Sequence, residues 1–168
     1  MRMIIIGAAA TMLLAGCSDD SATAPKPEEA AAAALTPGEY EISATVAALR
    51  STDKTTPASK AKVGDPAKVT RICVPADGTI DPAAFAEGSE TCNPMDNYMR
   101  NGRMSLQYKC TRVGSGQLTH MADGNFKTDS FEAKVTTATY FSGPGDYELT
   151  RSFNGKRVGD CPAAPAKP

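Results

Sequence analysis

Between residues 37 and 161 the apolar positions recur with a period of two, the repeat of a half-buried strand rather than of a helix. Tyr40, Ile42, Ala44 and Val46 alternate with Glu41, Ser43 and Thr45. Val69, Ile72 and Val74, with Thr70 and Arg71, suggest a second strand. Met104, Leu106 and Tyr108 alternate with Ser105, Gln107 and Lys109. Phe131, Ala133 and Val135 alternate with Glu132, Lys134 and Thr136 and run on to Tyr140 and Phe141. Tyr147, Leu149 and Arg151 alternate with Glu148 and Thr150, ending near Phe153. Turn chemistry punctuates these runs at Asn101-Gly102, Asp123-Gly124, Gly143-Pro144-Gly145 and Asn154-Gly155. Asn-Gly and Asp-Gly supply the positive φ of a type I′ turn, so the pattern predicts an antiparallel meander. One short helix is expected after Asp81, an N-cap followed by Pro82 at the first helical position and Ala83-Ala84-Phe85. Residues 51–65 form a polar loop carrying Lys54, Lys60 and Lys62, and its length and composition predict a mobile segment.

The cysteines refine this picture. If Asn101-Gly102 is a two-residue hairpin turn, Arg100 faces Arg103 and facing residue numbers sum to 203. Cys92 and Cys110 sum to 202, so one bulge sets them opposite each other within disulfide reach. Pro94 removes a ladder donor, which places that arm at a sheet edge. The alternative is a short helix over 94–100, with Asn93 as N-cap, Pro94 at N1 and Gly102 at C′. Either keeps Cys92 near Cys110. The pairing Cys73–Cys161 then follows by elimination, and it requires the sheet to curl until its first and last strands are neighbours. The expected fold is therefore mainly β: a single antiparallel meander curling into a barrel-like or sandwich-like sheet, with one short helix and two disulfides.

The ends of the chain read differently. Met1-Arg2-Met3, an apolar run from Ile4 to Gly16 and the order Leu14-Ala15-Gly16-Cys17 resemble a bacterial lipoprotein signal. The run is too short to span a bilayer. Residues 1–16 are thus expected to be removed, with Cys17 acylated, and acyl chains contribute about 0.8 kcal/mol per buried CH₂ to membrane binding. Residues 18–36, rich in Ala, Pro, Glu and Lys, lack the apolar content to offset their ordering entropy and read as a tether. Residues 162–168 read as a disordered tail. The expected location is the cell envelope, lipid-anchored and facing the periplasm. Ser18, where Asp would resemble an inner-membrane retention signal, favours the outer membrane.

Composition narrows function by exclusion. The 168 residues carry 18 Lys and Arg against 19 Asp and Glu, a net charge of −1. No basic excess exists to drive counterion release, so nucleic acid is not an expected partner. The cysteines left after Cys17 are an even set in an exported chain, widely spread and with His120 the only histidine. They read as a disulfide framework rather than a metal site, and no cofactor or metal is expected.

Leu35-Thr36-Pro37-Gly38-Glu39-Tyr40-Glu41-Ile42 resembles the opening strand of small proteobacterial envelope proteins grouped as domain-of-unknown-function family 3617. Further matches are Arg71-Ile72-Cys73-Val74, the Cys92…Asn101-Gly102…Cys110 block and Gly155-Lys156-Arg157-Val158-Gly159-Asp160-Cys161. Departures are Tyr40, where Trp is common, and Pro94 in the hairpin arm. The resemblance implies export, a cysteine framework and a β-rich fold, and brings no activity with it.

A search for chemistry finds no nucleophile constellation. His120, in Leu118-Thr119-His120-Met121, reads as a structural or solvated histidine at a strand end. Ser115 and Ser142 lie in glycine-rich turns without the Gly-x-Ser-x-Gly elbow. Asp129, Glu132, Asp146 and Glu148 fit the solvent faces of strands, so no catalytic residues are expected. Met95, Tyr98, Met99, Met104 and Met121 gather near the Cys92–Cys110 hairpin. They form a candidate surface for a hydrophobic ligand or an envelope protein, set against their use in the core. An incompletely closed sheet also leaves an edge that can accept a strand. The expected function is that of a non-catalytic envelope lipoprotein, a binding or scaffolding module. The alternative is an inhibitor of a cell-wall-degrading enzyme, similar to small lipoprotein lysozyme inhibitors, presenting the loop from Phe141 to Tyr147.

Overall fold

The computed structural model describes residues 34–163. The expected signal segment, the expected acylation site Cys17, almost all of the expected tether and most of the expected tail lie outside the described residues. Alternation becomes strand wherever the sequence showed it: β1 (Gly38–Ser51), β2 (Lys68–Val74), β4 (Arg103–Arg112), β6 (Ser130–Phe141) and β7 (Tyr147–Gly159). Two more, β3 (Glu90–Arg100) and β5 (Gly116–Phe126), complete one antiparallel sheet in the order β2-β1-β7-β6-β5-β4-β3. Successive hairpins run from β3 to β7. The last strand then pairs along nearly the whole of the first, from Glu39–Gly159 to Ser51–Tyr147. The sheet curls into a half-barrel with β2 and β3 as its edges. No helix among the described residues is long and apolar enough to cross a membrane.

The concave face holds the core. Tyr40 and Ile42 of β1, Leu106 and Tyr108 of β4, Leu118 of β5, Phe131 and Val135 of β6 and Leu149 and Phe153 of β7 are all buried. Residues 75–89 cross the open side between the edge strands and press Ile80 and Phe85 into that face. Phe85 meets Phe153 edge-on at 5.4 Å between ring centroids, and Tyr108 donates its hydroxyl proton to the Ile80 carbonyl at 3.0 Å. The expected helix in this segment is a single 3₁₀ turn, Pro82–Phe85, with Asp81 capping it by accepting from the Ala83 amide at 2.8 Å.

The first hairpin has the register read from the sequence. Asn101 and Gly102 have φ of 51° and 70°, and Arg100 faces Arg103. The register shifts between Pro94 and Asp96, so Cys92 faces Cys110 and the two are bonded. Residues 94–100 are therefore strand and not helix, and Pro94 lies on an edge strand where its missing donor costs no ladder bond. Cys161, just past β7, reaches around the start of β1 to bond Cys73 on β2, closing a loop of 88 residues.

Two turn expectations are corrected. Asp123-Gly124 lies inside β5 and Asn154-Gly155 inside β7. Their glycines serve close approach: a Cβ on Gly124 would stand 1.9 Å from the Glu132 carbonyl oxygen, and one on Gly155 would stand 2.1 Å from the Phe131 ring. The loop expected to be mobile is also fastened down. Asp53 accepts from the Gly145 and Asp146 amides at 2.7 and 3.1 Å, the Ala58 amide donates to the Gly145 carbonyl at 2.9 Å, and Ser59 donates to Glu87 at 2.6 Å. It forms a strap over one end of the half-barrel.

Candidate functional site

Inward-facing positions at that end are polar, and they meet. His120 keeps the parity of Leu118 and Ala122 on β5, Thr137 that of Val135 on β6, and Arg151 that of Leu149 and Phe153 on β7. All three are buried. Glu87 and Glu90 arrive from the crossing segment and the start of β3, and Arg112 from the end of β4. The Glu90 side chain, with no exposure, gives one oxygen to His120 Nε2 at 2.8 Å and the other to Arg112 at 2.6 Å. His120 Nδ1 lies 2.8 Å from the Thr137 hydroxyl, which also lies 3.5 Å from Arg151 Nη2. A hydroxyl that accepts from Arg151 and donates to Nδ1 fits the histidine tautomer with its proton on Nε2, directed at Glu90. Arg112 also donates to Tyr147 Oη at 3.2 Å, and Tyr147 donates in turn to Glu87.

This packing sets the charge states. Burial opposes ionisation of Glu90, but the bonds from His120 and Arg112 outweigh it and hold its carboxyl below the usual value. Burial likewise opposes the charge on Arg112, and its bonds to Glu90 and Tyr147 more than restore it. Burial and then the bond to Glu87 push the Tyr147 phenol well up, so it stays protonated. Burial lowers Arg151, against which the charges of Glu87 and Glu90 act.

Beside the network lies a cavity of about 510 Å³. The strap (Ala58, Lys60, Ala61, Asp65, Pro66) forms its roof, β1 and β2 (Ala44, Val46, Lys68) one wall, and Glu87, Arg112 and Arg151 its floor. The volume falls within the range of small-molecule sites, which favour concave places such as barrel mouths.

One set of donors has the composition of a metal site: ligand atoms of Glu90, Cys92, Cys110 and His120 lie within 4.8 Å of one another. The two sulfurs are joined, however, and a thiolate is what binds metal. The remaining nitrogen and carboxylate are bonded to each other. In this disulfide-bonded form the donor set does not fit a metal ion.

The methionine and tyrosine surface is divided between the two faces of the sheet. Met104 is buried in the core and Met99 packs against it, opposite each other on β4 and β3. Tyr98 and Met121 face outward, 44 % and 39 % exposed, and Met95 stands at the bulge of β3. In the Phe141–Tyr147 loop, Ser142, Gly143 and Pro144 are exposed. Asp146 accepts from the Phe141 amide at 2.8 Å, and Tyr147 is buried. Glu132 lies on the outer face, and Glu148 pairs with Arg50 at 2.7 Å.

The sequence reads His120 as a structural or solvated histidine at a strand end, whereas it lies buried in the middle of β5, and neither its partners nor the cavity is foreseen. One signal was present: Arg151, Thr137 and His120 each occupy the apolar parity of their strands. Glu87 and Glu90 gave none, because their segment has no periodicity.

The family model described as "Protein of unknown function (DUF3617)" matches residues 35–161. Neither the curated proteins nor the solved structures contain a match to this chain.

Proposed function

The chain belongs to the DUF3617 family, and from that premise we propose that it is a non-catalytic binding module of the cell envelope, with the strap-covered cavity as its binding site. The carrying observation is the cavity itself: a concave space of about 510 Å³ roofed by a bonded strap and floored by a buried, hydrogen-bonded network. Such a floor is held in one arrangement before any ligand arrives, which lowers the cost of binding. In the network, Glu90 is divided between two partners and the Tyr147 phenol is kept protonated, an arrangement that suits rigidity better than proton transfer. The lipoprotein-like start of the sequence and the two disulfides support an anchored, periplasm-facing location, with the outer membrane favoured.

The test is a titration of the isotopically labelled protein with the small-solute fraction of an envelope extract, followed by NMR. Saturable shifts at the amides of Ala44, Ala58–Ala61, Lys68 and Arg151 are expected. Shifts absent from the cavity, or substrate turnover that one side-chain change in the network abolishes, would overturn this reading. A second reading, inhibition of a cell-wall-degrading enzyme, draws on the exposed tip Ser142–Pro144 held at its base by Asp146. Unchanged lysozyme activity at micromolar protein would dispose of it.

A further inference from the structure

The cavity carries a charge imbalance that the whole chain lacks. Its lining holds four cations, Lys60, Lys68, Arg112 and Arg151, against two carboxylates, Asp65 and Glu87, in a chain of net charge −1. The cations differ in how well the protein satisfies them. Arg112 is surrounded by Glu90, Glu87 and Tyr147. Lys60 and Lys68 are exposed at the mouth, and neither forms an ion pair among the described residues.

Arg151 is the unusual one. It is 7 % exposed, and its acceptors are neutral: the Phe85 carbonyl and the Thr137 hydroxyl. Its guanidinium lies over the Phe153 ring at 5.0 Å, a contact that softens the cost of burial without supplying a counter-charge. Its Nε is the one buried side-chain polar atom without a hydrogen-bond partner among the described residues. A buried cation short of acceptors is costly in an apolar setting and gains most from an anion placed beside it. The upper walls are of another kind, formed by Ala44, Val46, Ala58, Ala61 and Pro66.

We infer that the ligand is a small amphiphile with one anionic head, a carboxylate or a phosphate, seated on the Arg151 floor with its apolar body against those walls. This rests on the cavity being the binding site. Planar guanidinium donors bind both head types through charge-assisted hydrogen bonds. The mouth lysines would steer an anion inward, an effect that weakens as salt rises.

Calorimetric titration of the full domain with decanoate, decyl phosphate, decanol and inorganic phosphate tests this. The two amphiphilic anions should bind at least about tenfold more tightly than decanol and than inorganic phosphate, each tenfold being about 1.4 kcal/mol. Arg151→Met should weaken decanoate at least about tenfold and leave decanol unchanged. Lys60→Glu with Lys68→Glu, at exposed positions that do not endanger folding, should weaken decanoate several-fold and flatten its salt dependence. Equal binding of decanol and decanoate overturns the anionic head, and equal binding of inorganic and decyl phosphate overturns the apolar body. Indifference to both sets of substitutions overturns the site. If all four probes fail while the extract still shifts the cavity amides, the ligand class is wrong and the binding module stands. If both fail, neither stands.

Discussion

Glu90 holds the buried network together because each of its oxygens serves a different element, one reaching His120 on β5 and the other Arg112 on β4. Glu90→Gln removes the nearer of the two carboxylates beside Arg112, leaving Glu87 at 3.4 Å, and should cost about 1–3 kcal/mol, the usual range for a lost buried hydrogen-bond partner. Its carboxyl lies below the ordinary value when folded. The stability it contributes is thus present above about pH 4.3 and is lost as pH falls through the folded value. Denaturation midpoints followed below about pH 4.3 should fall more steeply for the wild type than for Glu90→Gln, and parallel slopes would refute the assignment. Glycine supplies a second prediction at this scale. Gly124→Ala sets a methyl group against the backbone of β6 and should cost about 1–3 kcal/mol, as overpacking does. Gly143→Ala, with nothing within 4 Å of its Cβ and an ordinary φ, should stay within about 0.5 kcal/mol, both variants being compared with the wild type by urea denaturation. That contrast explains why two of the Xxx-Gly pairs misled the turn assignment. Local sequence shows that a glycine is there, whereas its reason (a turn, or a neighbour too close for a methyl) is a property of the adjacent strand.

Among the elements, the hairpin β3–β4 is the one whose geometry the residues themselves dictate. An Asn-Gly turn fixes where the strands start, Pro94 forces an edge, and the parity of Cys92 and Cys110 demands one bulge, which lies between Pro94 and Asp96. The strap is the opposite case. Its composition is that of a mobile loop, and what fastens it are amides and carbonyls of a turn nearly a hundred residues away. The two disulfides act at this scale as well. In the chain-entropy model the Cys73–Cys161 link, with a sequence separation of 88, stabilises by about 4–5 kcal/mol and the Cys92–Cys110 link, with a separation of 18, by about 3. Paired Cys→Ala variants compared in urea should rank accordingly, Cys73/Cys161 losing about 1 kcal/mol more. The reverse order would show that the long link is offset by residual contact between β1 and β7 in the unfolded chain.

At the scale of the whole molecule, the half-barrel is unclosed and depends on the crossing segment to seal it. Phe85 joins the sealing segment to both halves of the sheet, packing on Tyr108 of β4 and Phe153 of β7. Phe85→Ala should cost about 3–5 kcal/mol, as for other buried aromatic truncations. It should also speed hydrogen exchange in the edge strands β2 and β3 before the central ones; uniform acceleration would mean that the segment seals nothing. The cavity belongs to this scale too, since strap, β1, β2 and crossing segment meet only in the finished curl. By itself the sequence did not show β5, whose Asp123-Gly124 reads as a turn. It determined five of the seven described strands, both cysteine pairings and the adjacency of first and last strands, and it offered the β3–β4 hairpin with its register beside a helical alternative. Each of these follows from period-two alternation, turn chemistry or the reach of a disulfide, which act locally or by simple pairing. Only the tertiary structure decided that β5 and β7 run straight through their glycine signals, that Met99 and Met104 turn inward while Tyr98 and Met121 turn out, and that the strap is bonded down. It alone brought Glu87, Glu90, Arg112, His120, Tyr147 and Arg151 together. Such long-range contacts depend on how far the sheet twists and where its open side is filled, which is set by the packing of all the strands at once and written in no single stretch of the chain.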